Sequence, residues 1–164
     1  MRLGESRFFV AVMLAGLAAC AQPEARPIAA AAVDTAAIAH EAHEAYVTAI
    51  NSNNVDSLMA VLTDDVVFQA PHEPEMVGKA ALRPWAEGYA SAYNFRWEKT
   101  TLEFIIAGDW AFERYAYKSF DTPKAGGATI EDVGKGLNIY HHDADGRWRV
   151  ARDAWSSDRP IPTP

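Results

Sequence analysis

From Asp34 to Asn51 the apolar residues Ile38, Ala42, Ala45, Tyr46, Ala49 and Ile50 recur at helical spacing, which predicts an amphipathic helix that Asp34 or Thr35 can cap. Beyond the polar turn NSNN, residues Val55, Leu58, Met59 and Leu62 repeat that spacing and predict a second, shorter helix that stops before Asp64 and Asp65. VVFQAP then reads as a short strand ended by Pro71. The polar stretch HEPEMVG leads to a third helix from Lys79 to Tyr93, with Leu82, Trp85, Ala86, Tyr89 and Tyr93 as its apolar stripe. Pro84 lacks a backbone donor and is expected to kink or delay the first turn.

After Asn94 the period becomes two. Phe95 to Ile106 and Trp110 to Phe120 predict one hairpin around AGD; Val133 to His142 and Arg147 to Ser156 predict another around DADG, with TPKAGGATIED between them. Three helices followed by four long antiparallel strands specify an α+β fold, a curved antiparallel sheet wrapped around the helices into a cone. The alternation changes parity twice. Trp148 and Val150 are inward at one parity and Trp155 at the other, and Phe95 and Trp97 give way to Leu102, Phe104 and Ile106. One inserted residue, a β-bulge, would produce each switch and bend its strand, leaving a hollow suited to a small ligand.

The first residues have a different pattern. MRLGESRFFVAVMLAGLAAC carries Arg2 and Arg7 before an apolar run from Phe8 to Ala19, which is too short to span a bilayer and reads as a secretory leader. LAGLAAC has the form of a bacterial lipobox, so Cys20, the only cysteine, is the expected lipidation site. The expected layout is a leader over 1–19, a Pro/Ala tether over 20–33, the folded domain over 34–160 and a Pro-rich tail over 161–164. That layout predicts an extracytoplasmic, membrane-anchored lipoprotein on the bacterial periplasmic side. The formal net charge of −7 supplies no basic stripe for phosphates and argues against nucleic acid. Removing Arg2, Arg7 and Glu5 with the leader makes the remainder more acidic, so membrane attachment would rest on acyl chains.

Candidate chemistry centres on RVARDAWSSDRP, where Asp153 and Trp155 share a strand face. Asp153 can be a proton-transfer base, a ligand anchor or a structural brace paired with Arg149, Arg152 or Arg159. In HEAHE, His40 and His43 are three apart rather than the four of the zinc-protease helix, and the reading is a solvated face, with His40 and Glu44 turned outward and His43 flanking the apolar stripe. His141 and His142 are adjacent in a strand and point to opposite faces. GGAT at 126–129 lacks the lysine and helix of a nucleotide cradle, and there is no G-x-S-x-G. Neither a cofactor nor a metal is expected. Trp85, Tyr89, Trp97, Tyr115, Tyr140 and Trp155 are candidates for an aromatic cavity or for plain core.

AYVTAINSNNVDSLMAVLTDDVVFQAP, GKAALRPWAEGY and GKGLNIYHHDADGRWRVARDAWSSDRPIP together resemble the nuclear transport factor 2-like superfamily, in its ketosteroid isomerase and SnoaL-like branch, over about residues 35 to 160. The resemblance implies that Tyr46 matches an oxyanion-donating tyrosine, that Ala70 replaces the proton-shuttling aspartate, and that Asn138 stands where a neutral carboxylic acid donates. It also implies that Trp85, Asp153 and Trp155 face the pocket, with Tyr89 a further ligand-binding candidate from the aromatic pattern, and that the domain can pair as a homodimer through its outer sheet face. Without the base at Ala70, the expected function is non-catalytic binding of a small, partly apolar molecule. The alternative is a small lyase, isomerase or hydrolase using Asp153 with Tyr46 and Asn138.

Overall fold

The computed structural model describes residues 34–160. The expected leader, Cys20, the tether and the tail after Pro160 lie outside the described residues.

Helix α1 (Thr35–Asn51) begins where the Asp34 side chain accepts from the Ala37 amide, and α2 (Val55–Ala60) where Asn54 accepts from Ser57. Leu62 is not in that helix. It opens β1 (Leu62–Gln69), where it is fully buried in the core with Val66, Leu82 and Val150. A two-residue strand that the sequence pattern did not announce, β2 (Met76–Val77), pairs antiparallel with β1 inside the segment read as a loop. Gly78, at φ 81°, then turns the chain into α3 (Lys79–Ala92), which continues through Pro84. Tyr93 belongs to the following strand rather than to the helix.

The long strands are β3 (Tyr93–Ala107), β4 (Trp110–Pro123), β5 (Ile130–His142) and β6 (Trp148–Ser157). The sheet order is β2-β1-β6-β5-β4-β3, so the sheet curves but does not close. One pair departs from the antiparallel expectation: β1 lies parallel to β6, bringing Phe68 beside Asp153. Both expected bulges are present. Leu102 is the extra residue of β3 between Thr101 and Glu103, and Ala151 that of β6 between Val150 and Arg152.

Helix α1 packs across the inner sheet face. Its buried stripe is Ala42, His43, Tyr46 and Ala49, while Ala45, assigned to that stripe from the spacing, is exposed. His43 takes the inward place because a buried partner awaits it. On the outer face Ile105, Phe112 and Ile139 form an exposed cross-strand row with Leu137 nearby; this is the face through which the sequence reading expects a second copy to dock.

Candidate functional site

The strand register sets the site. Glu113 on β4 is opposite Asn138 on β5, Asn138 is opposite Asp153 on β6, and Asp153 is opposite Phe68 on β1. Three polar side chains thus form one cross-strand row on the inner face, all buried. The neighbouring row runs Tyr115, Gly136, Trp155. A Cβ on Gly136 would overlap the Tyr115 hydroxyl and ring, so glycine is what allows Tyr115 to lie across β5 and reach the next strand.

The Tyr115 hydroxyl donates to Asp153 at 3.0 Å, and the Tyr46 hydroxyl, brought in by α1, donates to its other oxygen. Burial, then the charge of Asp153 and its hydrogen bond, push both phenols well above their ordinary pKa, so both remain neutral donors. Among the described residues no arginine reaches Asp153. Arg149 is held by Asp143 and Asp145, Arg152 by Asp65 and backbone carbonyls, and Arg159 by Asp132. The ion-paired brace is therefore excluded, and Asp153 is a carboxylate dressed by two phenols.

Lys99 on β3 completes the constellation. Its ammonium donates to Asn138 Oδ1 at 2.6 Å and lies 3.5 Å from the centroid of the Tyr115 ring and 4.5 Å from that of Tyr46. Burial pulls its pKa from 10.5 down to about 8, although the charges of Asp153 and Glu113 act in the opposite direction. Asn138 Nδ2 is buried without a partner among the described residues.

Glu113 is the centre of a second buried network. Its carboxylate accepts from Thr101 at 2.5 Å and from Tyr140 at 2.7 Å, and sits 2.6 Å from His43 Nδ1. Burial alone would raise its pKa, but the hydrogen bonds from His43, Thr101 and Tyr140 outweigh it and hold the carboxyl at about 2. An ionised carboxylate offers no proton, so Nδ1 of His43 carries the hydrogen. His43 thus departs from the solvated reading of HEAHE, whereas His40 and Glu44 are exposed. Among the described residues no group of three potential metal ligands comes together.

A cavity of about 280 Å³ opens between α1, α2, α3 and the sheet. Tyr46, Lys99 and Asp153 supply its polar end, and Phe68, Trp85, Tyr89, Trp97 and Trp155 supply aromatic walls. Trp155 meets Phe68 and Trp97 edge-on, each at 5.9 Å, and Trp85 stacks on Tyr89 at 5.4 Å. Asp121 and Asp132 also line it. Asp121 is raised in pKa by burial and by the neighbouring Asp132, while Tyr89 donates to it at 2.6 Å. Ala70 forms plain wall.

Of the residues singled out from sequence, Tyr46, Trp85, Tyr89, Trp97, Asp153 and Trp155 come together around this one space. Asn138 does not line it, but stands behind Lys99 and holds the amine in place. Tyr115 and Tyr140 are buried behind the wall, and His141 packs tilted against Trp110 while His142 stacks on Trp148, away from the cavity. Lys99 and Glu113 were not singled out. Each shares the parity of inward aromatics, Lys99 with Phe95 and Trp97 and Glu113 with Tyr115 and Tyr117, and that parity was the available signal.

Residues 43–151 match the family model described as SnoaL-like domain. The chain belongs to the SnoaL-like family. A ketosteroid isomerase-like protein from Erwinia carotovora atroseptica is 29% identical, with a TM-score of 0.71, over 78% of this chain and 99% of that one. A conserved protein from Planctomyces limnophilus is 25% identical, with a TM-score of 0.67, over 74% and 96%. A protein described as a putative scytalone dehydratase from Novosphingobium aromaticivorans shares the fold at 13% identity and a TM-score of 0.68, over 76% and 84%. No curated protein matches the chain. The SnoaL-like family includes binding and enzymatic members, so the activity of this one has to be argued from its own cavity.

Proposed function

We propose that this SnoaL-like protein binds a small, partly apolar molecule in the sheet–helix cavity, with the aromatic walls taking the body of the ligand and Asp153, Tyr46 and Lys99 taking its polar group. The observation that carries this reading is that Asp153 and Lys99 both line a space walled by Phe68, Trp85, Tyr89, Trp97 and Trp155, with neither committed to an ion pair among the described residues. Ala70, at the position where the resemblance implies a proton-shuttling aspartate, supports binding over isomerisation. A thermal-shift screen of small ring compounds tests it, since a ligand at a hundred times its Kd stabilises by about 2.7 kcal/mol. Asp153→Asn keeps the shape and one phenol bond, to Oδ1, while the phenol facing Nδ2 has to turn and accept instead; it is expected to weaken a ligand with a cationic or donor group by about 1.5–3 kcal/mol. Unchanged affinity in that variant would remove Asp153 from the recognition role.

One observation favours a catalytic second reading. An amine titrating near pH 8 beside a carboxylate and a phenol can exchange protons at working pH, as a lyase, isomerase or hydrolase would require. In that case Asp153→Asn would leave binding unchanged and cut turnover by about 10² or more.

Anchoring through Cys20 is the third element of the proposal, supported by the LAAC motif after a short apolar run. The wild-type chain is expected to enter the detergent phase on partitioning and Cys20→Ser to remain in the aqueous phase. Equal aqueous partitioning of both would refute it.

A further inference from the structure

We propose that Lys99 is a covalent-binding lysine that condenses with a small aromatic aldehyde or ketone in the cavity to form an imine. The inference deepens the binding reading above and rests on it. A lysine buried for structural reasons is ordinarily tied to a carboxylate. Lys99 is not. Its one side-chain hydrogen bond goes to the neutral amide oxygen of Asn138, while the nearby carboxylates of Asp153 and Glu113 take their hydrogen bonds from phenols, a threonine and a histidine instead. The amine lines the cavity, so a bound molecule meets it directly.

Three neighbours suit it to this chemistry. Asn138 fixes the position of Nζ without neutralising it. Burial, opposed by Asp153 and Glu113, brings its pKa to about 8, so about a tenth of the amine is free at pH 7, against well under a thousandth for an ordinary lysine. The faces of the Tyr115 and Tyr46 rings, with the Asp153 carboxylate near by, form an environment for a cation. A protonated imine is also a cation, so the same surroundings would hold the product.

The bond changes balance without a further reactant. The lone pair of neutral Nζ attacks the carbonyl carbon and forms the C–N bond; the C=O π pair moves onto oxygen, which accepts a proton. Nitrogen gives up one proton to give the carbinolamine. The C–O bond then breaks as the nitrogen lone pair forms C=N, and the hydroxyl leaves as water after taking a proton. Tyr46 and Asp153, hydrogen-bonded to each other at the same end of the cavity, are the groups placed to pass those protons. The aromatic walls restrict the carbonyl compound to one with a flat or ring-shaped body.

The test uses the full chain with benzaldehyde and 2-naphthaldehyde at neutral pH, sodium cyanoborohydride to trap any imine as a stable secondary amine, and peptide mapping by mass spectrometry. Trapping is expected on the peptide containing Lys99 at least about tenfold faster than on exposed lysines such as Lys118 or Lys135. Lys99→Arg, which keeps the charge but not the nucleophile, should lose that label alone. Benzyl alcohol and 2-naphthalenemethanol, which cannot condense, should slow trapping at Lys99 by competition. If the alcohols and aldehydes both raise the melting temperature yet the label spreads over exposed lysines and spares Lys99, the imine is overturned and the binding reading stands. If no compound shifts melting and Lys99 is unlabelled, both fall. Wild-type mapping decides the matter even if Lys99→Arg fails to fold.

Discussion

Glu113→Ala is expected to lower unfolding stability at pH 7 by about 3–5 kcal/mol, the cost of removing one member of a buried hydrogen-bonded charge cluster. The alanine would strand His43 Nδ1 and the Tyr140 hydroxyl in the core and leave a void between α1 and β4. Urea denaturation reads the effect. The acid limb gives a second signature. Because the folded pKa of Glu113 is depressed from 4.5 to about 2, the unfolded chain binds a proton more readily over that window. Its contribution is therefore fully present above about pH 4.5 and is lost as pH falls through about 2, a change of about 3 kcal/mol. Glu113→Ala should lose less stability than wild type between pH 7 and pH 3. Parallel acid limbs in the two proteins would show that Glu113 is not held ionised by its three partners.

Gly136→Ala is expected to damage the site more than any conservative change of a polar residue in it. The added methyl would occupy the space of the Tyr115 hydroxyl and ring and press on the Ala154 carbonyl, so Tyr115 must move. Overpacking of this kind costs about 1–3 kcal/mol. The functional loss comes from what moves with the ring, since Asp153 loses one of its two phenol donors and Lys99 loses the face nearest to it. Tyr115→Phe removes only the hydroxyl, and should cost about 1 kcal/mol and leave Lys99 covered. A melting temperature and ligand affinity for Gly136→Ala no worse than those of Tyr115→Phe would show that the ring has another place to go.

Local periodicity carried much of this fold in advance. The parity switches announced one bulge in β3 and one in β6 because a pleated strand has a strict period of two, although Leu102, read from the spacing as inward, is itself the extra residue of β3 and is exposed. Helical spacing is more forgiving: His43 and Ala45 flank the stripe of Ala42, Tyr46 and Ala49 from opposite sides, and only Glu113, seventy residues away, decides which flank turns inward. The parallel pairing of β1 with β6 is non-local and has no periodic signature, so Phe68 could not be set beside Asp153 from spacing. Lys99 and Glu113 share the parity of inward aromatics, but a charged residue in a long strand is usually solvated, so parity alone does not mark them as buried.

The bulges lie in β3 and β6, whereas β4 and β5 between them keep an unbroken alternation. Each bulge acts as a frame shift partway along its strand. On one side of it β3 turns Trp97 and Lys99 inward and on the other Phe104 and Ile106; β6 likewise turns Asp153 inward after it and Val150 before it. In β3 and β6 the part that faces the core and the part that faces the cavity are therefore written in different frames. Any comparison of this protein with a relative that lacks Leu102 or Ala151 needs a one-residue gap at that position. Without it, inward residues on one side of the bulge would be set against outward ones, and Lys99 or Asp153 would be equated with a position on the far face of the sheet.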